Sequence, residues 1–375
     1  MKQKPRVTTV VKDASILGGG ILAVAAPLYM TLKGRGLSYS FISGSTPYEQ
    51  LDDSWSVGLL GIGALFLPRD TLGDVVHIHG IWTPFELFCF LVGKIRKKKV
   101  VVSPHGALEP WAFNSKGFKK KLAWYLYQKK VLVSSDLLIV NSCQERDNLR
   151  ALGLKGPIAV IPNGVDLDGY NKHAACRNER PKVLLYFSRL DKKKGIDLLL
   201  RAWGRVENKN DFILRIQGYG DKAYKYNLLE LVNQLKLNEC VEFVEPKYGR
   251  DRWGAFADAS IYILPSYSEN FGITVAEALM SGLPSITTTE MPWQDLTLKK
   301  IGWSVRCDEE AIIAALNEAI NLDEHTLLQM RSHSIEYAKK RFLWKYIAKE
   351  YEQAYQWMLQ PSENTMPKSI AEASN

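Results

Sequence analysis

Two glutamates stand eight residues apart in Glu269-Asn270-Phe271-Gly272-Ile273-Thr274-Val275-Ala276-Glu277, directly after the apolar run Ile261–Leu264 and Pro265-Ser266. Gly272 permits a tight turn, and the residues from about Ile273 to Ser281 read as a helix closed by Gly282 and Pro284. Glu269 then sits in the loop before that helix and Glu277 in its first turn, so both carboxylates face one ligand. The free N–H groups and positive dipole of the helix start suit an anion. Spacing alone leaves a plainer role open, in which Glu277 complements the helix dipole and Glu269 is solvated.

A second candidate is Ser188-Arg189-Leu190-Asp191-Lys192-Lys193-Lys194-Gly195, between the strand Val183–Phe187 and the helix Ile196–Trp203. Arg189 and Lys194 flank a turn whose following helix points its N-terminus the same way, an arrangement suited to a diphosphate. The third is Gly18-Gly19-Gly20 after the first strand, where glycines allow a phosphate to approach the backbone. Position 23 is alanine and no acidic residue follows at the usual distance, so the dinucleotide fingerprint of an oxidoreductase is incomplete. The fourth is Val101-Val102-Ser103-Pro104-His105-Gly106, which places His105 just past a strand. His77 and His79 end another strand and alternate to one face. No H-x-x-x-H pair or neighbouring Cys/Asp set completes a metal site, so His105 is read as a hydrogen-bond donor to a polar ligand, and no metal is expected.

The elements that must position these residues follow a strand–helix alternation. Strands are predicted at Val7–Val11, Ser38–Ile42, Val75–Ile78, Val100–Ser103, Leu137–Val140 and Ile158–Ile161. A second set falls at Val183–Phe187, Phe212–Ile216, Val241–Val244, Ile261–Leu264, Ser285–Thr288 and Trp303–Arg306. The pattern predicts two parallel, doubly wound α/β domains, whose ligands bind at the carboxyl ends of the strands. Domain limits are placed at 1–168 and 182–341, with a linker at 169–181, an amphipathic aromatic helix at 342–360 and a disordered tail at 361–375.

A chain of 375 residues suits two such domains. At 46% apolar and 24% charged residues, the composition excludes disordered, collagen-like and disulfide-scaffold classes. Cys89, Cys143, Cys176, Cys240 and Cys307 are spread without a C-x-x-C pair, which fits a reducing compartment. The uncharged run Ala14–Leu32 is broken by Gly18–Gly20 and Pro27, and reads as a strand end, turn and helix rather than a signal peptide or membrane span.

The net charge of +9 is lopsided: 24 Lys/Arg against 14 Asp/Glu give +10 in residues 1–180, and 25 against 26 give −1 in the rest. The excess points to an extended anionic partner for the first half, whether nucleic acid, an anionic membrane surface or a phosphorylated substrate, among which composition does not choose. Within it, Gly117–Val133 is basic and aromatic at helical spacing, and Lys119, Lys120, Lys121 and Trp124 are read as an acceptor or membrane contact, with Arg96–Lys99 as a second basic patch. The alternative is an ordinary helix with core aromatics and solvated lysines. Nucleic acid is disfavoured, because the aromatics form no stacking platform and no binding module is visible.

Taken in order, Gly18–Gly20, His105-Gly106, Pro162-Asn163-Gly164-Val165-Asp166, Arg189 with Lys194, Gly218-Tyr219-Gly220 and Glu269–Glu277 as an E-x7-E motif resemble the retaining glycosyltransferases of the GT-B fold, glycosyltransferase family 4. His77–Pro84, Ser103–Trp111 and Met291-Pro292-Trp293 resemble a subgroup associated with bacterial surface polysaccharides, lipopolysaccharide among them. The resemblance implies two Rossmann-like domains facing a central cleft, with the C-terminal helix crossing back to the first.

It further implies a UDP- or GDP-linked sugar as donor substrate, with no cofactor and no metal. By the same match Arg189 and Lys194 neutralise the diphosphate, Glu277 accepts from the ribose, and Glu269 accepts from a donor-sugar hydroxyl. Backbone around Asn270, Phe271, Gly272, Ile273 and Thr274, with Gly218 and Gly220, completes the donor site. Gly19 and Gly20 approach the phosphates, and His105 contacts the sugar. The implied reaction retains configuration by same-face attack, the leaving phosphate taking the acceptor proton. The implied acceptor is a glycan or lipid-diphosphate-linked oligosaccharide at the inner face of the cell membrane. A sugar-nucleotide epimerase or hydrolase of the same fold is the nearest rival, and needs no acceptor.

Overall fold

A computed structural model describes residues 4–14, 19–44, 53–114, 117–170, 181–209, 211–247, 249–362 and 364–371. The chain forms two compact units, Met1–Gly164 with Leu343–Asn375, and Val165–Phe342.

The first unit is built on strands β1 (Val7–Val11), β2 (Ser38–Ser43), β3 (Ser54–Ser56), β4 (Val75–His79), β5 (Lys99–Ser103), β6 (Leu137–Val140) and β7 (Ile158–Val160). They form one parallel sheet in the order β3-β2-β1-β4-β5-β6-β7. β1, β4 and β6 are buried along their whole length, as expected of parallel strands covered on both faces. The strand order reverses between β1 and β4, where such sheets take their ligands. Register places Val11, His79 and Ser103 side by side at the carboxyl edge.

The helix Trp344–Leu359 belongs to this unit. Its buried residues Trp344, Ile347, Ala348, Tyr351, Ala354, Tyr355 and Met358 recur at helical spacing and pack on Val7, Val75, Val101 and Leu137 of the sheet. A Cβ on Gly164 would lie 2.3 Å from the Trp344 indole, so the turn into the second unit needs glycine for close approach. The Arg35 guanidinium, on helix Gly19–Gly34's C-terminal side, pairs with Glu352 at 2.5 Å and fixes the helix from its outer face.

The second unit contains β8 (Lys182–Phe187), β9 (Phe212–Gln217), β10 (Val241–Val244), β11 (Ile261–Leu264), β12 (Ser285–Thr288) and β13 (Gly302–Val305). Their order, all parallel, is β10-β9-β8-β11-β12-β13. The reversal falls between β8 and β11, so the loops after those two strands flank the switch point. They are the loops that carry Arg189–Lys194 and Glu269–Glu277.

Three expectations are corrected. The first domain ends at Gly164 and not 168, because Val165 N–H donates to Phe342 O at 2.7 Å and Trp253 Nε1 donates to Asp168 O at 3.0 Å, drawing this segment onto the second unit. The tail is ordered in part: Lys368–Ala371 is a short helix with Ile370 buried, and the Asn364 amide donates to Gln356 O at 3.1 Å. The edge strand Ser54–Ser56 was not expected, since Ser-Trp-Ser carries no apolar run. Most of the proposed linker, with Cys176, lies outside the described residues, as does Gly18. Among the described residues no helix is long and apolar enough to cross a membrane.

Candidate functional site

In the second unit the turn after β8 ends in a single 3-10 turn, Lys192–Lys194, fixed by Asp191, whose carboxylate accepts from Lys193 N–H at 2.9 Å. Gly195 then adopts φ +67 and opens the helix Ile196–Arg205. A Cβ there would meet Pro265 O at 2.1 Å, so glycine brings the β8 and β11 loops into contact. The result is that the Lys194 ammonium, nearly buried, pairs with the Glu269 carboxylate. Residues separated by 75 positions are thereby joined at the switch point. Arg189 is exposed beside them in sequence, and among the described residues it makes no ion pair.

The β11 loop turns at Gly272, φ +72, into the helix Ile273–Met280. A Cβ on Gly272 would lie 3.0 Å from Met291 Cε and 3.3 Å from Glu269 Cγ. Phe271 points its ring into the core against Trp293 and Phe342, and its carbonyl accepts from Trp293 Nε1 at 2.5 Å. Any contact it makes with a ligand therefore comes from its backbone. Asn270, Ile273 and Thr274 are half-buried, and the Thr274 hydroxyl lies 2.7 Å from Tyr262 Oη on β11. Gly218 and Gly220 hug the β8 loop: a Cβ at either would strike Ser188 O at 1.8 Å or Leu190 O at 2.2 Å. They position the Arg189 loop by close packing.

Glu277 is the fifth residue of its helix, in the second turn and not the first, and its side chain is nearly buried. Burial pushes its carboxyl up from the ordinary range, while the adjacent Arg252 guanidinium pulls in the opposite direction. Arg252 Nε donates to Glu277 Oε1 at 2.8 Å and Nη2 donates to Asp166 O at 2.8 Å. Sequence reasoning missed Arg252. It lies in Gly249-Arg250-Asp251-Arg252, which has the composition of a charged surface turn and no motif.

In the first unit His105 has φ +53 and is followed by Gly106 at φ +74, a pair of left-handed residues at the carboxyl end of β5. A non-glycine residue held there marks a functional candidate. Buried Glu145 fixes the turn by accepting from Gly106 N–H at 2.6 Å and from Asn141 N–H at 2.9 Å. His105 Nε2 lies 2.9 Å from His79 Nδ1, and the two rings are nearly coplanar. The His77 ring lies tilted against His79 at 4.0 Å between centres and bonds through its own nitrogens to Tyr355 Oη and Ser103 Oγ, each at 2.8 Å. Burial holds all three imidazoles neutral, lowering His77 to about 3 and His105 to about 4. His105 Nδ1 lies 3.5 Å from the Asn141 side-chain amide, so both nitrogens of the ring expected to donate to a ligand have protein partners, and the ring itself is uncharged. Gly20 lies in the first turn of the helix Gly19–Gly34, and no protein atom approaches within 4 Å of a Cβ built on it.

The basic segment forms a helix through Gly117–Ala123, a π-turn Trp124–Gln128 and Lys129–Val133. Lys119 and Lys121 are exposed, whereas Lys120 is half-buried with its ammonium 5.8 Å from the Trp82 ring centre. Trp124 is corrected: it is a core residue, edge-on to Phe113 at 5.8 Å, and cannot face a membrane. The outward aromatic is Tyr125, 76% exposed, beside Leu126 at 63% and Leu122 at 50%.

Two parallel-stranded α/β units of this strand order define a GT-B type architecture. Residues 71–168 match the family described as Glycosyltransferase Family 4, and residues 171–341 match Glycosyl transferases group 1. The chain thus carries two glycosyltransferase domains, one in each unit. An uncharacterized 41.2 kDa protein in the cps region of Klebsiella pneumoniae is 28% identical over 57% of this chain and 59% of its own length. The O-antigen biosynthesis glycosyltransferase WclY of Escherichia coli is 27% identical over 57% of this chain and 61% of its own. The chain thus spans less than two thirds of either relative. A crystal structure of Anabaena Alr3699/HepE in complex with UDP and glucose superposes with TM-score 0.74 at 16% identity, covering 94% of this chain and 99% of the other, which establishes the shared fold.

Proposed function

We propose that this chain transfers a sugar from a nucleoside-diphosphate donor to a glycan or lipid-linked oligosaccharide in surface polysaccharide biosynthesis, with retention of configuration and without a metal ion. The observation that carries the reading is the Lys194–Glu269 pair at the switch point of the second unit, between two loops that each turn through a left-handed glycine into a helix N-terminus. Breaking the anomeric carbon–oxygen bond leaves an oxocarbenium-like sugar and moves negative charge onto the departing diphosphate. Lys194 and Arg189 supply cations for that charge, as do the N–H groups of the two helix starts. Glu269 accepts from a hydroxyl of the donor sugar and Glu277 from the ribose. UDP in the Anabaena structure supports a uridine donor, and the capsule-region and O-antigen relatives support a surface glycan as product.

The acceptor side is assigned to the first unit, where the excess of positive charge lies. The helix Gly117–Val133 presents exposed Leu122, Tyr125 and Leu126 among Lys119, Lys121, Lys129 and Lys130, a face suited to anionic headgroups. It supports peripheral contact with the inner face of the cell membrane. The test is incubation with candidate sugar nucleotides, with and without lipid-linked acceptor and with and without a chelator, followed by product mass. Acceptor-dependent transfer that survives chelation is expected. Donor turnover that is mainly acceptor-independent overturns the reading in favour of a hydrolase or epimerase.

A further inference from the structure

Glu277 does not stand alone in its surroundings. Arg252 is held at three points: Nε on Glu277 Oε1 at 2.8 Å, Nη1 on Gly249 O at 2.5 Å and Nη2 on Asp166 O at 2.8 Å. Its guanidinium also lies 4.9 Å from the Trp253 ring centre, so both its plane and its position are determined. The two side chains are 14% and 9% exposed. Only Oε1 of the carboxylate is engaged. Oε2 takes no hydrogen bond among the described residues.

A carboxylate buried to this degree drifts toward its protonated form unless a fixed charge opposes it. A guanidinium does so without titrating itself, and its rigid fork dictates which oxygen it takes. An ionised carboxylate with one oxygen committed and one open is an acceptor for neighbouring hydroxyl groups. We propose that Arg252 is the positioning residue of a nucleoside site: it commits Oε1 of Glu277 and leaves Oε2 directed to the vicinal hydroxyls of a ribose. The inference rests on the reading that this unit binds a nucleoside diphosphate.

Because the same guanidinium holds Asp166, its loss also loosens the segment that enters the unit, so the test must separate orientation from support. Titration calorimetry with the full chain, using UDP and GDP each beside its 2′,3′-dideoxy form, does so. Wild type binds one of the two natural nucleotides about tenfold more tightly than its dideoxy form, the size of a hydrogen bond to a charged group. Arg252→Met narrows that ratio to within about twofold while changing affinity for the dideoxy form less than about threefold, and Arg252→Lys, with charge but no fork, falls between. Equal losses for both forms, with the ratio kept, show mere structural support and overturn the proposal. Should Arg252→Met fail to fold, full discrimination in Arg252→Lys overturns it equally. Wild type that binds a nucleotide but ignores its hydroxyls refutes Glu277 as the ribose ligand and the inference with it; wild type that binds neither nucleotide refutes the donor reading itself.

Discussion

The three clustered histidines of the first unit make its stability a function of pH in a range where few other groups titrate. His77 is held neutral to about pH 3 by burial, against about 6.5 in the unfolded chain. Its folded value is depressed, so between those limits the unfolded chain takes up a proton that the folded unit refuses. Its stabilising contribution is whole above pH 6.5 and is lost as the pH falls. At pH 5 the unfolded imidazole is almost fully protonated and the folded one is not. The difference of about 1.5 pH units from 6.5 corresponds to about 2 kcal/mol.

His105, held neutral to about pH 4 by burial, adds a similar amount, and burial lowers His79 in the same direction. His77 and His105 together, about 4 kcal/mol, are a large part of the stability of an ordinary domain. Between pH 7 and pH 5 the first unit should therefore lose a substantial part of its resistance to unfolding. Hydrogen exchange at Val76–Ile78 on β4, corrected for intrinsic rates, reads this unit alone, and urea titration of the same amides gives the free energy. His77→Gln keeps a hydrogen-bonding side chain and should flatten the pH slope by about 2 kcal/mol. Parallel slopes in wild type and variant would falsify the account, because they would place the proton uptake elsewhere.

Lys194→Ala removes a cation from the leaving-group side and should lower kcat by about a hundredfold or more, on the scale of a lost oxyanion donor, with the circular dichroism spectrum unchanged; steady-state turnover near that of wild type rules out its assigned role. Gly195→Ala places a Cβ 2.1 Å from Pro265 O at a backbone angle of φ +67, and should destabilise the second unit by about 2 kcal/mol or more in chemical denaturation. An unchanged midpoint would mean that the β8 and β11 loops are not in forced contact. Replacing Leu122, Tyr125 and Leu126 together by serine should reduce sedimentation with anionic vesicles while leaving neutral vesicles unaffected. Trp124→Ala instead should cost about 3–5 kcal/mol of stability through its core cavity, and equal vesicle binding by all forms argues against this face.

What could be read from the chain alone follows from how locally each feature is specified. Gly195 and Gly272 mark positions where only a residue without a side chain can make the turn, so the two loops at the second switch point are visible as letters. His79 and His105 meet because alternation along β4 and the β4–β5 register bring consecutive strand ends together, and both are legible from strand spacing. Arg252 is of the opposite kind. Its partner is 25 residues away across β11, and nothing in Gly249–Arg252 distinguishes it from the neighbouring exposed Arg250. Trp124 failed for a related reason: helical spacing shows that a segment is amphipathic but not which aromatic turns inward, and the π-turn at Trp124–Gln128 shifts the phase of the outer face. The lopsided charge acquires its meaning from that same helix. Its lysines surround an exposed apolar strip and not a stacking platform, the arrangement on which the proposed headgroup contact of the basic half rests.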